Sequence, residues 1–420
     1  MKHITIVEGY ESVLIGEGDE ANTITREQAE ELAAYIEHEQ LKEQYIIWGS
    51  HSVLFINYVG FIQCSDFSIE LLPKVAFEGE ASCREVLYRM LNEVGYIQAN
   101  ISSKSYVSTT EDDLLELLAA YFATKLLKQL RYGIITQYVE VENNLMSLKG
   151  SLLVQKHIRE NISRNKPYQA YCEYEERTED HNLNRLFKTV SILLSKVVTR
   201  VETQIILQQI LNLLDGISNR PITYFEAQSI IVDRTNKRYE VPLELAKLFL
   251  QRQVSTFSND TSVSFSILFE MNDLFEKYIA QLMHDAIPDK VFEQHSGHRL
   301  LVNERTNRGI FQLRPDLVIE NDSSQIVIDT KWKRLTNSGR HGVKREDLYQ
   351  MYAYVTRYKN AKAAILLYPF TPEITSEAFP IEYWSIEEQE NKKVAVHMVT
   401  LHSRSETITQ LKEIVGYHLN

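Results

Sequence analysis

One segment of the 420-residue chain constrains its fold more than any other, namely residues 314–333, RPDLVIENDSSQIVIDTKWK. Two apolar runs flank the stretch 321–324, which has the length and the residue types of a hairpin loop. If Glu320 pairs with Gln325, the register of the whole hairpin is fixed. Four further pairs then face each other: Ile319–Ile326, Val318–Val327, Leu317–Ile328 and Asp316–Asp329. The segment therefore predicts an antiparallel hairpin that brings two carboxylates together.

The two aspartates and a nearby lysine indicate a metal-dependent hydrolytic site. Opposed carboxylates lie about 5 Å apart and destabilise paired strands unless a cation lies between them. Mg²⁺, or Mn²⁺ as a substitute, suits Asp316, Asp329 and the backbone carbonyl of Thr330, and it retains several waters. The pleat points Lys331 to the face of Asp329, where it would position a water or stabilise the transition state. With Pro315, these residues form the pattern PD…(D/E)xK, which predicts phosphodiester hydrolysis with Asp316, Asp329 and Lys331 as catalytic residues.

A basic segment follows the hairpin directly. Residues 331–345, KWKRLTNSGRHGVKR, contain six Lys or Arg and no acidic residue, whereas the whole chain has a formal net charge of −12. The overall charge should repel DNA, so contact with DNA must come from such a local patch. We expect phosphate binding by five side chains of this basic segment: Lys333, Arg334, Arg340, Lys344 and Arg345.

Three further side chains are candidates for supporting roles. Gln350 and Tyr354 are four residues apart in a predicted helix over 345–358, so they lie on one face. Glu276, in a predicted helix over 268–286, is a candidate third metal ligand, although a solvated helical glutamate explains it equally well. The alternative for the whole hairpin is a surface ion network without catalytic function.

The pattern of elements predicts an α+β and α/β multidomain fold. Thr25 and Gln28 form a candidate capping box before a helix over 26–43, and a β-meander is expected over 45–75. The polar stretch 255–264 is the best linker candidate. We predict three domains: an amino-terminal α+β module over 1–105, a mainly helical domain over 106–254, and a nuclease domain over 255–420.

Absent motifs exclude several classes of protein. Cys64, Cys83 and Cys172 are too far apart in sequence for a CxxC pair, which argues against an iron–sulfur nuclease. The chain has no GxxxxGK[ST] motif, so we expect it to bind no nucleotide itself. No uninterrupted run of eighteen apolar residues occurs, and we expect a cytoplasmic protein without membrane contact.

The order of motifs along the chain resembles the McrC family, the nuclease subunits of McrBC-type restriction systems. The resemblance rests on the hairpin and on four earlier segments: YVGFIQ with IELLPK in 58–74, LKGSLL in 148–153, HNLNRLFK in 181–188 and MNDLFEKYI in 271–279. Gln350 and Tyr354 are similar to the QxxxY element of RecB-related nucleases. The resemblance implies a restriction-endonuclease-like PD-(D/E)xK domain at the carboxyl end.

The same resemblance implies a partner and a biological role. The amino-terminal region would dock onto a hexameric McrB-like AAA+ GTPase, which recognises modified double-stranded DNA, such as DNA with 5-methylcytosine, in antiviral defence. Two alternatives stay open: a nuclease subunit that cuts a specific unmodified sequence, and a non-catalytic adaptor that stimulates the GTPase. If residues in roughly the first 250 dock, we expect the carboxyl-terminal domain to fold without them.

Overall fold

The computed structural model describes most of the chain. The described residues are 2–18, 20–38, 40–75, 80–96, 114–234, 236–251, 265–288, 291–321, 324–337, 339–374, 379–387 and 389–419. The predicted linker 255–264 lies outside them. The chain divides into two compact units, of which unit 1 joins Met1–Leu114 to Val254–Asn420 and unit 2 comprises Leu115–Gln253.

The amino-terminal part of unit 1 is a mixed α/β structure. Its elements are β1 (Lys2–Val7), β2 (Ser12–Ile15), β3 (Thr23–Ile24), α1 (Arg26–His38), β4 (Ile46–Trp48), β5 (Ser52–Phe55), β6 (Tyr58–Gln63), β7 (Phe67–Leu72) and α2 (Glu80–Glu93). Helix α1 begins as predicted, because Thr25 Oγ1 accepts from the Gln28 N–H and the Gln28 side chain accepts from the Thr25 N–H. The helix ends at His38, before residue 43.

The expected β-meander is divided between two sheets. Strands β2, β3, β4 and β5 form one sheet in the order β3-β2-β5-β4, and β6 pairs with β7 in another. The chain changes sheet at Asn57, which lies between β5 and β6 with a φ of 65°. Asparagine tolerates this left-handed conformation better than most residues. The apolar pattern predicted the strands, but it carried no information about this break.

Unit 2 is mostly helical and contains one small antiparallel sheet, β8-β10-β9. Its elements are α3 (Leu114–Leu130), β8 (Gln137–Leu145), β9 (Ser151–Leu152), α4 (Val154–His157), β10 (Ala170–Thr178), α5 (Asn182–Val197), α6 (Val201–Leu213), α7 (Tyr224–Gln228) and α8 (Glu240–Gln251). Gly150 precedes β9 with a φ of +69°, and a Cβ there would lie 2.3 Å from the Glu173 carbonyl oxygen. This turn therefore requires glycine.

The carboxyl-terminal part of unit 1 is built on a six-stranded mixed sheet. Its elements are β11 (Phe265–Glu270), α9 (Met271–Ala286), β12 (Val291–Glu293), β13 (Arg299–Asn303), β14 (Arg308–Gln312), β15 (Leu317–Glu320), β16 (Gln325–Thr330), α10 (Arg345–Arg357), β17 (Ala361–Pro369), β18 (Glu382–Ile386), β19 (Gln389–Val399) and α11 (Arg404–Leu419). The strand order is β12-β15-β16-β17-β19-β18, with parallel pairing from β16 to β17 and from β17 to β19.

Helices cover both faces of this sheet. Met351 and Val355 of α10 share a buried cluster with Val327 and Ala364 of the sheet. Helices α9 and α11 contact each other and the sheet, and they cover the opposite face. The central strands β15 and β16 are consequently apolar on both faces, as is usual for strands between two helical layers.

The helix predicted over 268–286 begins only at Met271. Residues 265–270 form β11 instead, which pairs antiparallel with β6 and completes the sheet β1-β7-β6-β11. The apolar run before the helix looked like its first turn, and its true partner is about 200 residues away in sequence, beyond the reach of local periodicity. Among the described residues, no helix is long and apolar enough to cross a membrane.

Candidate active site

The predicted hairpin is present with the predicted register. Strands β15 and β16 pair antiparallel in four steps: Leu317–Ile328, Val318–Val327, Ile319–Ile326 and Glu320–Gln325. The loop is closed by the Asn321 N–H, which donates to the Ser324 carbonyl at 2.9 Å. Asp316 precedes β15 and is not a ladder partner of Asp329. The strands nevertheless carry both aspartates to one end of the hairpin.

Asp316 is oriented by the strand opposite it. Its Oδ2 accepts hydrogen bonds from Thr330 N at 2.7 Å and from Thr330 Oγ1 at 2.8 Å. Its own carbonyl oxygen accepts from Gln294 N at 2.9 Å. Both the side chain and the backbone of Asp316 are therefore fixed before any ligand arrives. Thr330 performs this role through its N–H and hydroxyl, which the sequence pattern did not reveal.

Asp329 and Lys331 form a buried charged pair next to helix α10. Asp329 is 2% exposed, and its Oδ2 lies 2.5 Å from Lys331 Nζ. Gln350 Nε2 donates to Asp329 Oδ1 at 3.2 Å, and Gln350 Oε1 accepts from Lys331 Nζ at 3.2 Å. Gln350 Nε2 also lies 2.9 Å from Tyr354 OH. The two predicted residues of α10 therefore meet the hairpin residues at one point.

Burial dominates the electrostatics of this site. It raises the pKa of Asp329 to about 7, with a further increase from the charge of Asp316. Burial also raises the pKa of Asp316 to about 6, and the charge of Glu276 adds to this shift. The pKa of Lys331 is lowered by burial but raised more by the carboxylates around it, so its net shift is upward. Two carboxylates facing one lysine leave the site short of positive charge.

The donor set fits a hard divalent cation. Two buried carboxylates with raised pKa values are what a site for Mg²⁺ presents, since this ion uses one or two carboxylates and keeps several waters. In the described part of the chain, no group of three or more His, Cys, Asp or Glu side chains is arranged to hold a metal ion. Any ion at this place would therefore depend on Asp316 and Asp329, with backbone and water oxygens.

Glu276 of α9 lies close to this pair. Its charge raises the pKa of Asp316, and burial raises the pKa of Glu276 itself. Its Oε1 accepts a hydrogen bond from the side chain of Gln294, a residue with a φ of 46° that also binds the backbone of Asp316. Gln294 thus connects the two acids. Nothing in its sequence context marked it, because it lies in an irregular loop between β12 and β13.

Two of the five candidate phosphate-binding residues in the basic segment are paired with carboxylates, and the other three are exposed. Lys333 Nζ lies 3.0 Å from Asp347 Oδ2, and Arg334 forms an ion pair with Glu373. The other three candidate phosphate-binding residues, Arg340, Lys344 and Arg345, are exposed. Asp347 also lies 4.0 Å from Lys331 Nζ and was not singled out from the sequence. Its position shortly after the basic segment is the only feature of the sequence that indicates a contact with these cations.

A buried glutamate in the amino-terminal part of unit 1 contacts the residue after the candidate lysine. Glu8 is 0% exposed, and its Oε1 accepts a hydrogen bond from Trp332 Nε1. Its Oε2 accepts from Asn57 N at 2.5 Å and lies 3.2 Å from Lys74 Nζ. Trp332 is therefore fixed by residues far away in sequence, which no local pattern could predict.

Comparison with known proteins identifies a family and two similar solved structures. A sequence-family profile described as "McrBC 5-methylcytosine restriction system component" matches residues 53–369. A chain in the half-complex of a tetradecameric assembly of Thermococcus gammatolerans McrB AAA+ hexamers with bound McrC is 18% identical, with a TM-score of 0.75 and 99% of each chain covered.

A second solved structure, the Thermococcus gammatolerans McrBC complex, contains a chain that is 21% identical, with a TM-score of 0.52 over 68% of this chain and 88% of that chain. The comparison with curated proteins finds no match. The TM-scores to both structures show a shared fold, and the profile spans more than half of the sequence. The chain therefore belongs to the family of McrBC restriction-system components.

Proposed function

We propose that the chain is the DNA endonuclease subunit of an McrBC-type restriction complex and that it hydrolyses phosphodiester bonds with Mg²⁺. The observation that carries the proposal is the meeting of Asp316, Asp329, Lys331 and Gln350 at one end of the β15–β16 hairpin. The arrangement corresponds to the PD-(D/E)xK pattern together with the QxxxY element. We infer a nuclease domain of that class for the carboxyl-terminal part of unit 1.

Each side chain has a defined role in this proposal. Asp316 and Asp329 would hold the cation, and Gln350 would keep Asp329 and Lys331 in place by bonding to both. Mg²⁺, when bound, lowers the pKa of a coordinated water and neutralises phosphate charge. Lys331 stays protonated, because the carboxylates around it raise its pKa, and it can donate to the attacking water or to the phosphate oxygens.

The partner in the proposed complex is an McrB-like AAA+ GTPase hexamer. One similar solved structure contains McrB AAA+ hexamers with bound McrC, the other is an McrBC complex, and the present sequence has no P-loop of its own. Unit 2 also carries a group of exposed apolar side chains, as expected of an interaction surface. They are Tyr138, Met146, Leu148, Val154, Ile158, Ile162 and Tyr168. This group lies within the first 250 residues, where the sequence predicts docking.

Reconstitution tests the proposed function. The full chain is combined with an McrB-like AAA+ GTPase and assayed on plasmid DNA with and without 5-methylcytosine. We expect cutting that needs GTP and Mg²⁺ or Mn²⁺, and little cutting by the chain alone. Cutting of unmodified DNA only would favour the sequence-specific alternative. GTPase stimulation without any cutting would favour the adaptor, and full activity in excess chelator would reject the metal site.

A further inference from the structure

Strands β13 and β14 form a two-stranded ribbon that joins no larger sheet. We call residues 299–312 the ribbon. Its paired residues are Arg299–Gln312, Leu301–Ile310, Val302–Gly309 and Asn303–Arg308. Every residue from 301 to 312 is exposed, so both faces of the ribbon are open to solvent over most of its length. Isolated two-stranded ribbons gain little stability by themselves, which makes a binding role a better explanation than core formation.

The ribbon carries unneutralised positive charge. Arg305 and Arg308 lie in or beside its turn, Arg314 follows its end, and Glu304 is the only acidic residue from 299 to 314. All three arginines are exposed, and within the described part of the chain none of them forms an ion pair. The basic segment differs, because two of its cations are already paired with carboxylates. A surface with free guanidinium groups and one acid is complementary to a polyanion.

The ribbon also exposes large apolar side chains. Leu301 is 52% exposed, Val302 53% and Phe311 68%. Phe311 has a φ of 55°, in the left-handed region that bulky residues rarely adopt. An aromatic ring that is both exposed and held in an unfavourable backbone conformation indicates a binding function, since packing does not reward it.

The base of the ribbon is tied to the candidate active site. Leu313 N donates to the His298 carbonyl at 3.0 Å, and Arg357 Nε of α10 donates to the Arg299 carbonyl at 3.0 Å. Gln294, just before the ribbon, donates to the backbone of Asp316, just after it. A ligand that lies along the ribbon is thereby held in a fixed relation to the two aspartates.

We propose that the ribbon enters a groove of double-stranded DNA beside the candidate active site, with Arg305 and Arg308 on phosphates and Phe311 against the bases. The proposal rests on the proposed function, which supplies DNA as the ligand of this site. A two-stranded β-ribbon fits the major groove, and apolar side chains serve as contacts to base edges or as wedges between base pairs. The charge favours duplex DNA over a protein partner, because the three exposed arginines outnumber the single acidic residue, Glu304.

Fluorescence anisotropy of the full chain with labelled duplex DNA tests this proposal. Ca²⁺ replaces Mg²⁺ so that binding is measured without cutting. The double variant R305A/R308A should weaken binding to all sequences and lower the slope of log Kd against log salt by up to about two units. F311A should weaken binding about five-fold or more with an unchanged slope, and F311W should retain affinity. The control R26A/K412A removes the same charge from exposed sites on α1 and α11 and should change neither quantity.

The outcomes separate this proposal from the nuclease proposal. Unchanged affinity in R305A/R308A and F311A, or no duplex binding by the wild-type chain at low salt, would overturn the role of the ribbon. A lower mass of F311A in size-exclusion chromatography with unchanged DNA affinity would assign the ribbon to contact between copies of the chain. Ribbon-dependent binding in a chain that never cuts DNA supports the ribbon and refutes the nuclease. Melting temperatures of all variants identify any that fail to fold.

Discussion

Asp329 lowers the stability of the metal-free protein, so its presence needs an explanation other than folding. It is almost fully buried, it has a second carboxylate as a neighbour, and burial raises its pKa to about 7. Replacing a whole buried ion pair by well-packed apolar residues is often neutral or stabilising. The presence of Asp329, together with Asp316 and Lys331, is therefore better explained by chemistry than by folding.

Alanine at any of these three positions should abolish DNA cleavage. The proposal assigns Asp316 and Asp329 to the metal and Lys331 to the transition state, and such losses reduce rates by several orders of magnitude. Cleavage of a permissive plasmid by the reconstituted complex measures the effect. GTPase stimulation by each variant is the control and should persist. DNA cleavage by D329A at the rate of the wild-type protein would refute the assignment of the site.

The metal-free protein should lose stability as the pH rises from about 4 to about 7. The raised pKa values of Asp316 and Asp329 mean that the native state holds more protons than the unfolded state in this window, so the free energy of unfolding falls with pH. D329N should remove much of this slope and raise the melting temperature at pH 7.5, by about 1–2 °C for each kcal/mol. Thermal unfolding in excess chelator measures it.

Addition of Mg²⁺ is the matched test of the same effect. The wild-type chain should gain thermal stability from the ion, because binding relieves the repulsion between Asp316 and Asp329. D329N should gain much less. An equal gain in both proteins would place the ion elsewhere.

At the scale of elements, the last strand and the last helix meet through two buried histidines. His397 of β19 and His418 of α11 have their Nε2 atoms 2.9 Å apart, so one ring donates and the other accepts. Burial lowers the pKa of His397 to about 3, with a further contribution from His418, and burial lowers the pKa of His418 to about 4. Both rings are therefore neutral in the native state at neutral pH.

This pair should make unfolding sensitive to acid. Below pH 6.5 the unfolded state protonates both histidines while the native state does not, so stability falls as the pH drops from about 6.5 towards about 4. The double variant H397L/H418L keeps an apolar contact and should show a shallower decline. Urea midpoints measured in this pH range test the effect. An identical pH dependence in both proteins would show that other groups govern the acid response.

The basic segment should also behave as two parts. Neutralising Arg340, Lys344 and Arg345 together should weaken DNA binding for all sequences and reduce the salt slope by up to about one unit for each lost contact. The matched variant K333A/R334A should reduce the slope less, because these cations already pair with Asp347 and Glu373. Anisotropy with duplex DNA at several salt concentrations compares them. A changed sequence preference with an unchanged slope would assign base recognition to this segment.

The elements that the sequence predicted well are those whose determinants are local. The register of the β15–β16 hairpin follows from its loop and its apolar alternation, and α1 follows from the capping box of Thr25 and Gln28. Strand β11 was mistaken for helix because its partner is distant, and β18, β19 and α11 were not predicted. The contacts of Gln294 and Glu8 depend on tertiary structure alone.

At the scale of the whole molecule, unit 1 is built from both ends of the chain. Strand β11 completes the sheet of β6, and Glu8 holds Trp332 beside the candidate lysine. The expectation that the carboxyl-terminal region folds without the first 250 residues stays a prediction, and these contacts argue against it. Such a fragment would expose the edge of β11 and leave the Trp332 N–H unpaired.

A fragment that follows the structure should fold where the simple truncation fails. Leu114 N donates to Glu70 Oε1, and Phe265 pairs with Gln63 on the strand next to that of Glu70. Residues 1–114 can thus be joined to 265–420 by a flexible Gly/Ser linker. We expect cooperative thermal unfolding of this fragment, and aggregation or no transition for 255–420 alone. Cooperative unfolding of 255–420 would instead confirm that the carboxyl-terminal region folds without the first 250 residues.

The pairing of β6 with β11 has a consequence for the order of events during synthesis. About 200 residues separate the two strands, so roughly 10–40 s of translation pass between them at ordinary ribosomal rates. Unit 2 emerges complete in that interval and can fold first. During this time the edge of β6 that pairs with β11 has no partner. A nascent chain therefore cannot assemble Asp316, Asp329 and Lys331 on a finished scaffold until nearly all of it has left the ribosome. If the proposed nuclease activity is correct, incomplete chains cannot cut the DNA of the host. Early termination of translation then yields only inactive products.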